Sequence, residues 1–133
     1  MAFVVDASVS ACWALDDEDH VTATAALDRS KTDGIIVPSL WWFEIRNLLV
    51  VAERRKRFTA AKTNTFLRSL KRLDLSIDNS PSNEAVMDLA RRHGLTVYDS
   101  GYLELALRYG LPLATLDKKL AAAAAHEGTA LIV

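Results

Sequence analysis

The chain has 133 residues, half of them hydrophobic and a quarter charged, with a net charge of −1. That is room for one globular domain, residues 1–133, with its own core, and it excludes a disordered chain. No apolar run approaches the ~20 residues of a membrane span. The start Met1-Ala2-Phe3-Val4-Val5-Asp6 lacks a basic leader, so a soluble, cytoplasmic protein without a membrane partner is expected. One cysteine, Cys12, and three histidines exclude an intramolecular disulfide and a zinc finger.

Phe3-Val4-Val5 reads as a buried first strand that delivers Asp6 to its carboxyl end. Ser8 is placed to cap a short helix through Leu15, Asp16-Asp17-Glu18-Asp19 forms an acidic turn or helix start, and a second helix covers Val21 to Arg29. Gly34 releases the chain into a strand, Ile35-Ile36-Val37, stopped by Pro38; Ser39 then caps a helix from Leu40 to Glu53 with Glu44 early in it. Thr59 caps a further helix to about Arg72, apolar along Phe66, Leu67 and Leu70 and basic along Lys62, Arg68, Lys71 and Arg72. Leu73 to Ile77 alternates like an edge or half-buried strand, and Ser80-Pro81 opens a helix to His93. Gly94 and Gly110 are left-handed helix stops; between them, after Leu95 to Tyr98, a helix runs from Asp99 or Ser100 to Tyr109. A small strand, Leu113 to Leu116, ends at Asp117, followed by an alanine-rich helix from Lys118 to His126 and a closing strand from Ala130 to Val133.

Strands alternating with helices over so short a chain predict an α/β fold, a three-layer α/β/α sandwich with a central parallel sheet. Such sheets bind ligands beyond the carboxyl ends of their strands. Asp6 and Asp117 are both predicted at that edge.

Four carboxylates stand out: Asp6, Glu44, Asp99 and Asp117. Singly each has an ordinary explanation, as a helix cap or an ion-pair partner. Gathered at one edge they would repel, and a divalent cation is the simplest compensation. Oxygen-only ligands select Mg²⁺ or Mn²⁺, which keep water and leave positions for a phosphate oxygen and an attacking water. The chemistry this suggests is metal-assisted phosphodiester hydrolysis, with one ion or a pair.

At these residues the chain resembles the PIN-domain family, and within it the VapC toxins of toxin–antitoxin pairs. The resemblance rests on Val4-Val5-Asp6-Ala7-Ser8-Val9, on Val37-Pro38-Ser39-Leu40 with Glu44, on Leu95-Thr96-Val97-Tyr98-Asp99 with Tyr102, and on Leu113-Ala114-Thr115-Leu116-Asp117-Lys118-Lys119-Leu120. It implies a Rossmann-like fold, a Mg²⁺ or Mn²⁺ site and endonucleolytic cleavage of RNA. Asp6 and Asp99 take the positions of metal ligands; Asp117 completes the metal site directly or through water, and Glu44 helps position metal or water. Ser8 and Thr115 take positions where hydroxyls hydrogen-bond the acids. Family behaviour also implies a homodimer and a cognate VapB-type antitoxin that inhibits by blocking RNA or by displacing metal with a basic side chain. Ser100-Gly101 departs from the alanines usual after the aspartate, and the glycine is expected to loosen the first turns of that helix.

Charge is distributed unevenly: −6 over residues 1–45, +8 over residues 46–72 and −3 over residues 73–133. Arg54-Arg55-Lys56-Arg57 and the bases up to Arg72 suit either an RNA backbone or the acidic groups of a protein partner. Trp41-Trp42-Phe43 cannot all face one way on a helix, so at least one ring is expected to be exposed or covered by a partner. His20, His93 and His126 share no metal-ligand spacing and read as surface or capping residues, and Cys12 as a small core residue. No phosphate-loop pattern occurs, so no nucleotide cofactor is assigned. Two other function classes fit some of these features. A phosphoacceptor receiver domain also ends strands in aspartates but needs strict βα alternation, and a non-catalytic module would keep the fold and use its basic helix to bind RNA or protein.

Overall fold

The structure, a computed structural model, describes residues 1–15 and 20–133; the acidic run from Asp16 to Asp19 lies outside the described residues. The elements are β1 (Phe3–Val5), α1 (Ala7–Ala14), α2 (Val21–Arg29), β2 (Ile35–Pro38), α3 (Leu40–Arg54), α4 (Ala60–Leu70), β3 (Leu75–Asp78), α5 (Asn83–His93), α6 (Val97–Tyr109), β4 (Leu113–Ala114) and α7 (Lys118–His126). The strands form one four-stranded sheet in the order β3-β2-β1-β4. All its pairings are parallel, with Phe3 opposite Ile35, Val5 opposite Ala114 and Val37 opposite Ile77. This is the expected α/β sandwich with a central parallel sheet. The two helices between β1 and β2 break the strict alternation that a receiver domain requires.

The central strand carries no polar residue because helices cover both its faces: Phe3, Val4 and Val5 are completely buried. They pack with Val37, Ile45, Leu49, Leu103, Leu113 and Leu120 in one core. α6 is the most enclosed helix, buried at every position from Ser100 to Ala106. Its Gly101 lies beneath Leu40, whose Cδ2 would stand 3.2 Å from an added Cβ, and the Ser100 hydroxyl donates to the Val86 carbonyl at 2.6 Å. The helix is continuous through both residues. The expected loosening is therefore absent: the glycine serves close packing of α6 against the start of α3.

Several boundaries differ from expectation because another polar side chain makes the cap. Asp6, not Ser8, caps α1; Ser82, not Ser80, caps α5, which begins at Asn83; and Ser39 has helical dihedrals and makes no side-chain cap. Thr96 caps α6, so Asp99 sits inside the first turn rather than at the cap. α4 ends at Leu70 instead of Arg72 and β3 starts at Leu75 instead of Leu73. β4 is only two residues long. The expected closing strand from Ala130 reduces to one isolated bridge between Leu113 and Leu131. Gly94 and Gly110 do end α5 and α6, with φ of 62° and 63°. Trp41 is buried, with its indole N–H donated to Ser10 Oγ at 2.9 Å, whereas Trp42 and Phe43 are exposed. His20 caps α2, as its reading as a capping residue allowed. Among the described residues no helix is long and apolar enough to cross a membrane.

Candidate active site

Parallel pairing of Val5 with Ala114 brings the next residue of each strand, Asp6 and Thr115, side by side at the carboxyl edge of the sheet. The Thr115 hydroxyl donates to Asp6 Oδ2. Asp6 Oδ1 accepts from the Ser8 hydroxyl at 2.6 Å and from the Val9 amide at 3.0 Å. Each hydroxyl is fixed in turn: Ser8 Oγ accepts from the Leu116 amide at 3.3 Å and Thr115 Oγ1 from the Asp117 amide at 3.0 Å. Asp6 is thus held rigidly at the junction of β1 and β4. The two hydroxyls assigned by resemblance do contact the acid cluster.

Asp117 caps α7, its Oδ1 accepting from the Lys119 and Leu120 amides at 2.8 and 3.1 Å. Asp99 lies in the first turn of α6, its amide donating to Thr96 Oγ1 at 3.0 Å; that placement aims the positive end of the helix at the acids. Glu44 sits on the second turn of α3, and its Oε1 accepts the Tyr102 hydroxyl at 2.6 Å. All four predicted acids therefore line one cleft of about 230 Å³, together with Ala7, Ser8, Asn47, Leu48 and Tyr102.

Among the described residues none of these four carboxylates forms an ion pair. Burial raises the Asp6 carboxyl above the ordinary carboxylate range, against the pull of its hydroxyl and amide donors, and the Asp117 charge adds to the rise. Burial also raises Glu44, with smaller contributions from the charges of Asp99 and Asp6. Asp99 is raised by burial and then by the charges of Asp117 and Asp6. Tyr102, buried against Glu44, is pushed far above its usual range and keeps its proton. The cleft is an uncompensated concentration of negative charge.

The donor set is oxygen throughout, it has no cation paired with it among the described residues, and neighbouring carboxylate charges help to raise Asp6, Glu44 and Asp99. These properties fit a hard divalent cation. Among the described residues no three carboxylate, imidazole or thiolate groups already close on a single point at ligand distance. The groups able to hold a cation are Asp6, Asp99 and Asp117, with Glu44 lining the same cleft.

Two residues of the cleft have roles that the sequence reading did not assign. Tyr102 lies three residues after Asp99 and so projects from the same face of α6; Asn47 stands in the same relation to Glu44 on α3. The i, i+3 spacing from each acid is the signal that identifies them.

Comparison with known proteins identifies the fold and the family. The PIN domain family model matches residues 3–126. Ribonuclease VapC3 of Pyrobaculum aerophilum is 32% identical over 124 residues, covering 91% of this chain and 93% of that one. Among solved structures, PAE2754 from Pyrobaculum aerophilum superposes with a TM-score of 0.75 at 24% identity, over 99% of this chain and 90% of that one. FitAcB from Neisseria gonorrhoeae gives 0.67 at 17%, over 100% and 97%. The Mycobacterium tuberculosis toxin VapC20, a sarcin-ricin loop cleaving toxin, gives 0.63 at 14%, over 91% and 94%. A fold, a cleft of unpaired carboxylates at the sheet edge and a sequence match over almost the whole length thus converge, and the chain belongs to the PIN-domain family.

Proposed function

We propose that this protein is a divalent-metal-dependent endoribonuclease, the toxin of a VapBC-type toxin–antitoxin pair, hydrolysing RNA phosphodiester bonds in the acidic cleft. The observation that carries the reading is the group of four carboxylates around one cleft, without an ion pair among the described residues, in a chain 32% identical to ribonuclease VapC3. Asp6, Asp99 and Asp117 hold Mg²⁺ or Mn²⁺, which when bound supplies Lewis-acid polarisation of the phosphoryl group and lowers the pKa of water. Asp6, fixed by three hydrogen bonds, sets the reference position of the site. Tyr102 engages Oε1 of Glu44, leaving Oε2 to orient the attacking water. The raised proton affinity of that carboxyl suits it to receive a proton from the water. Like charge in the cleft repels an RNA phosphate until cation binding offsets it, so substrate binding and catalysis share one requirement.

The resemblance to VapC toxins further supports a homodimer and a VapB-type antitoxin, whose inserted segment inhibits by covering the cleft or by placing a basic side chain among the acids. Co-purification with the small protein encoded beside this one tests that partnership. The activity is tested by incubating a mixed tRNA and rRNA pool with purified, antitoxin-free protein in Mg²⁺, Mn²⁺ or EDTA, with Asp99→Asn alongside and both preparations verified as folded. Cleavage lost in EDTA and in the variant is the expected result. A folded protein that cuts no RNA and binds no metal is instead a PIN-fold binding module.

A further inference from the structure

The bases near the end of α3 suited either RNA or a protein partner on charge alone, and the structure separates these uses. Glu44, Asn47 and Leu48 line the catalytic cleft. Val51 and Arg55 continue that row at i+7 and i+11, which keeps them on one face and carries it about 16 Å along the helix. The row ends in a tight turn. The amides of Arg55, Lys56 and Arg57 donate to the carbonyls of Val51, Glu53 and Ala52 at 3.0, 3.0 and 2.9 Å. This places Lys56 at the left-handed position after the helix, with φ of 59°, the one non-glycine residue with positive φ among the described residues. Glycine occupies that position without strain; here it carries a cation. Arg54, Arg55 and Lys56 are exposed. Among the described residues none of the three forms an ion pair. The single acid of residues 46–72, Glu53, is instead engaged by the Thr63 hydroxyl at 2.6 Å.

We infer that Arg54, Arg55 and Lys56 form a phosphate-binding exosite for the RNA strand, reached along the α3 face from the cleft and a few nucleotides from the bond that is cut. The inference rests on the ribonuclease reading and adds to it where the substrate's flank is held. RNA is favoured over a protein partner because Arg55 lies on the helix row that leads out of the cleft, with Arg54 and Lys56 adjoining it. Arg54 and Arg55 also complement the negative end of α3, but that role gives no reason for lysine at a strained position.

The test measures binding of a fluorescent RNA dodecamer and of an RNA trimer at fixed Mg²⁺ across a salt series, by the full chain carrying Glu44→Gln to block cleavage. This background is compared with the same chain carrying Lys56→Gly and with the chain carrying the triple variant Arg54→Ala/Arg55→Ala/Lys56→Gly. For the dodecamer the slope of log affinity against log salt is expected to fall by about 0.7 in Lys56→Gly and by about 2 in the triple variant. The trimer, too short to span cleft and turn, is expected to be insensitive. Because Lys56→Gly relieves a strained backbone, its melting temperature is expected to equal or exceed that of the Glu44→Gln background, so weaker binding in it cannot reflect unfolding. An unchanged dodecamer slope in the triple variant overturns the exosite. So does an unchanged slope joined to loss of a co-purifying acidic protein, which would make the turn a protein-docking surface. A wild-type protein that neither binds the dodecamer nor cleaves RNA with Mn²⁺ overturns the ribonuclease reading itself.

Discussion

The helix α6 contributes to two acidic clusters, and they handle charge in opposite ways. At its N-terminal end Asp99 and Tyr102 face Asp6, Glu44 and Asp117 across the cleft, with no ion pair among the described residues. Further along, Glu104 is buried and accepts from Arg108 Nε at 2.7 Å and from the Ser82 amide at 3.1 Å. The rest of the Arg108 guanidinium grips Asp78 at 3.0 and 2.8 Å, and Tyr109 donates to the same carboxylate at 2.9 Å. Arg108 accordingly lowers the Asp78 carboxyl well below the carboxylate range, whereas Asp6, Glu44 and Asp99 in the cleft are raised. The second cluster is complete and ties α6 to β3 and to the start of α5. The first has no compensating cation among the described residues, and this contrast, rather than the number of acids, sets it apart as the candidate site.

Changes to the two clusters should therefore have opposite signatures. The largest effect is expected from Asp6→Asn, which keeps a capping side chain but removes a cation-holding charge. Cleavage of an RNA pool should fall on the order of a thousandfold, with circular dichroism showing an intact fold. Arg108→Ala should leave the cleft untouched but strand buried Glu104, costing about 3 kcal/mol in urea unfolding. If cleavage falls while stability holds, the division between the clusters is wrong. Tyr102→Phe removes the hydroxyl that Glu44 accepts and should cost about 1 kcal/mol by the same assay.

The smallest effect is on pH dependence. Without metal, the folded-state pKa of Asp99 is raised, so the folded protein binds that proton more tightly than the unfolded chain. The resulting destabilisation is absent at pH below the ordinary carboxylate range and grows as pH rises through the folded value. Asp99→Asn should consequently be the more stable protein at neutral pH. Its advantage over wild type should shrink as pH falls toward 4, in thermal melts with EDTA.

Much of this division was legible in the sequence. The β-branched run before Asp6 and the glycine stops after α5 and α6 read correctly because each depends on local chemistry, and the four acids singled out in the sequence line one cleft. Caps were less legible: near Asp6, Ser82 and Thr96 several competent polar residues adjoin, and tertiary contacts decide which one turns inward. The serine at position 8 is drawn off its predicted cap by Asp6 and the Leu116 amide, a partner 108 residues away in the chain. Gly101 could not be read at all without Leu40, since close approach of two helices leaves no mark on one segment. Glu104 likewise resembled any helical surface acid until β3 and α5 were packed against it.

The central claim is that the cleft acids, and not acids in general, bind a divalent cation. Calorimetric titration of Mn²⁺ into metal-free wild type, Asp99→Asn and Glu104→Gln tests it most directly. The account predicts Mn²⁺ binding that is competed by Mg²⁺, lost in Asp99→Asn and retained in Glu104→Gln. Binding that survives Asp99→Asn undiminished, or is absent from folded wild type, would contradict it.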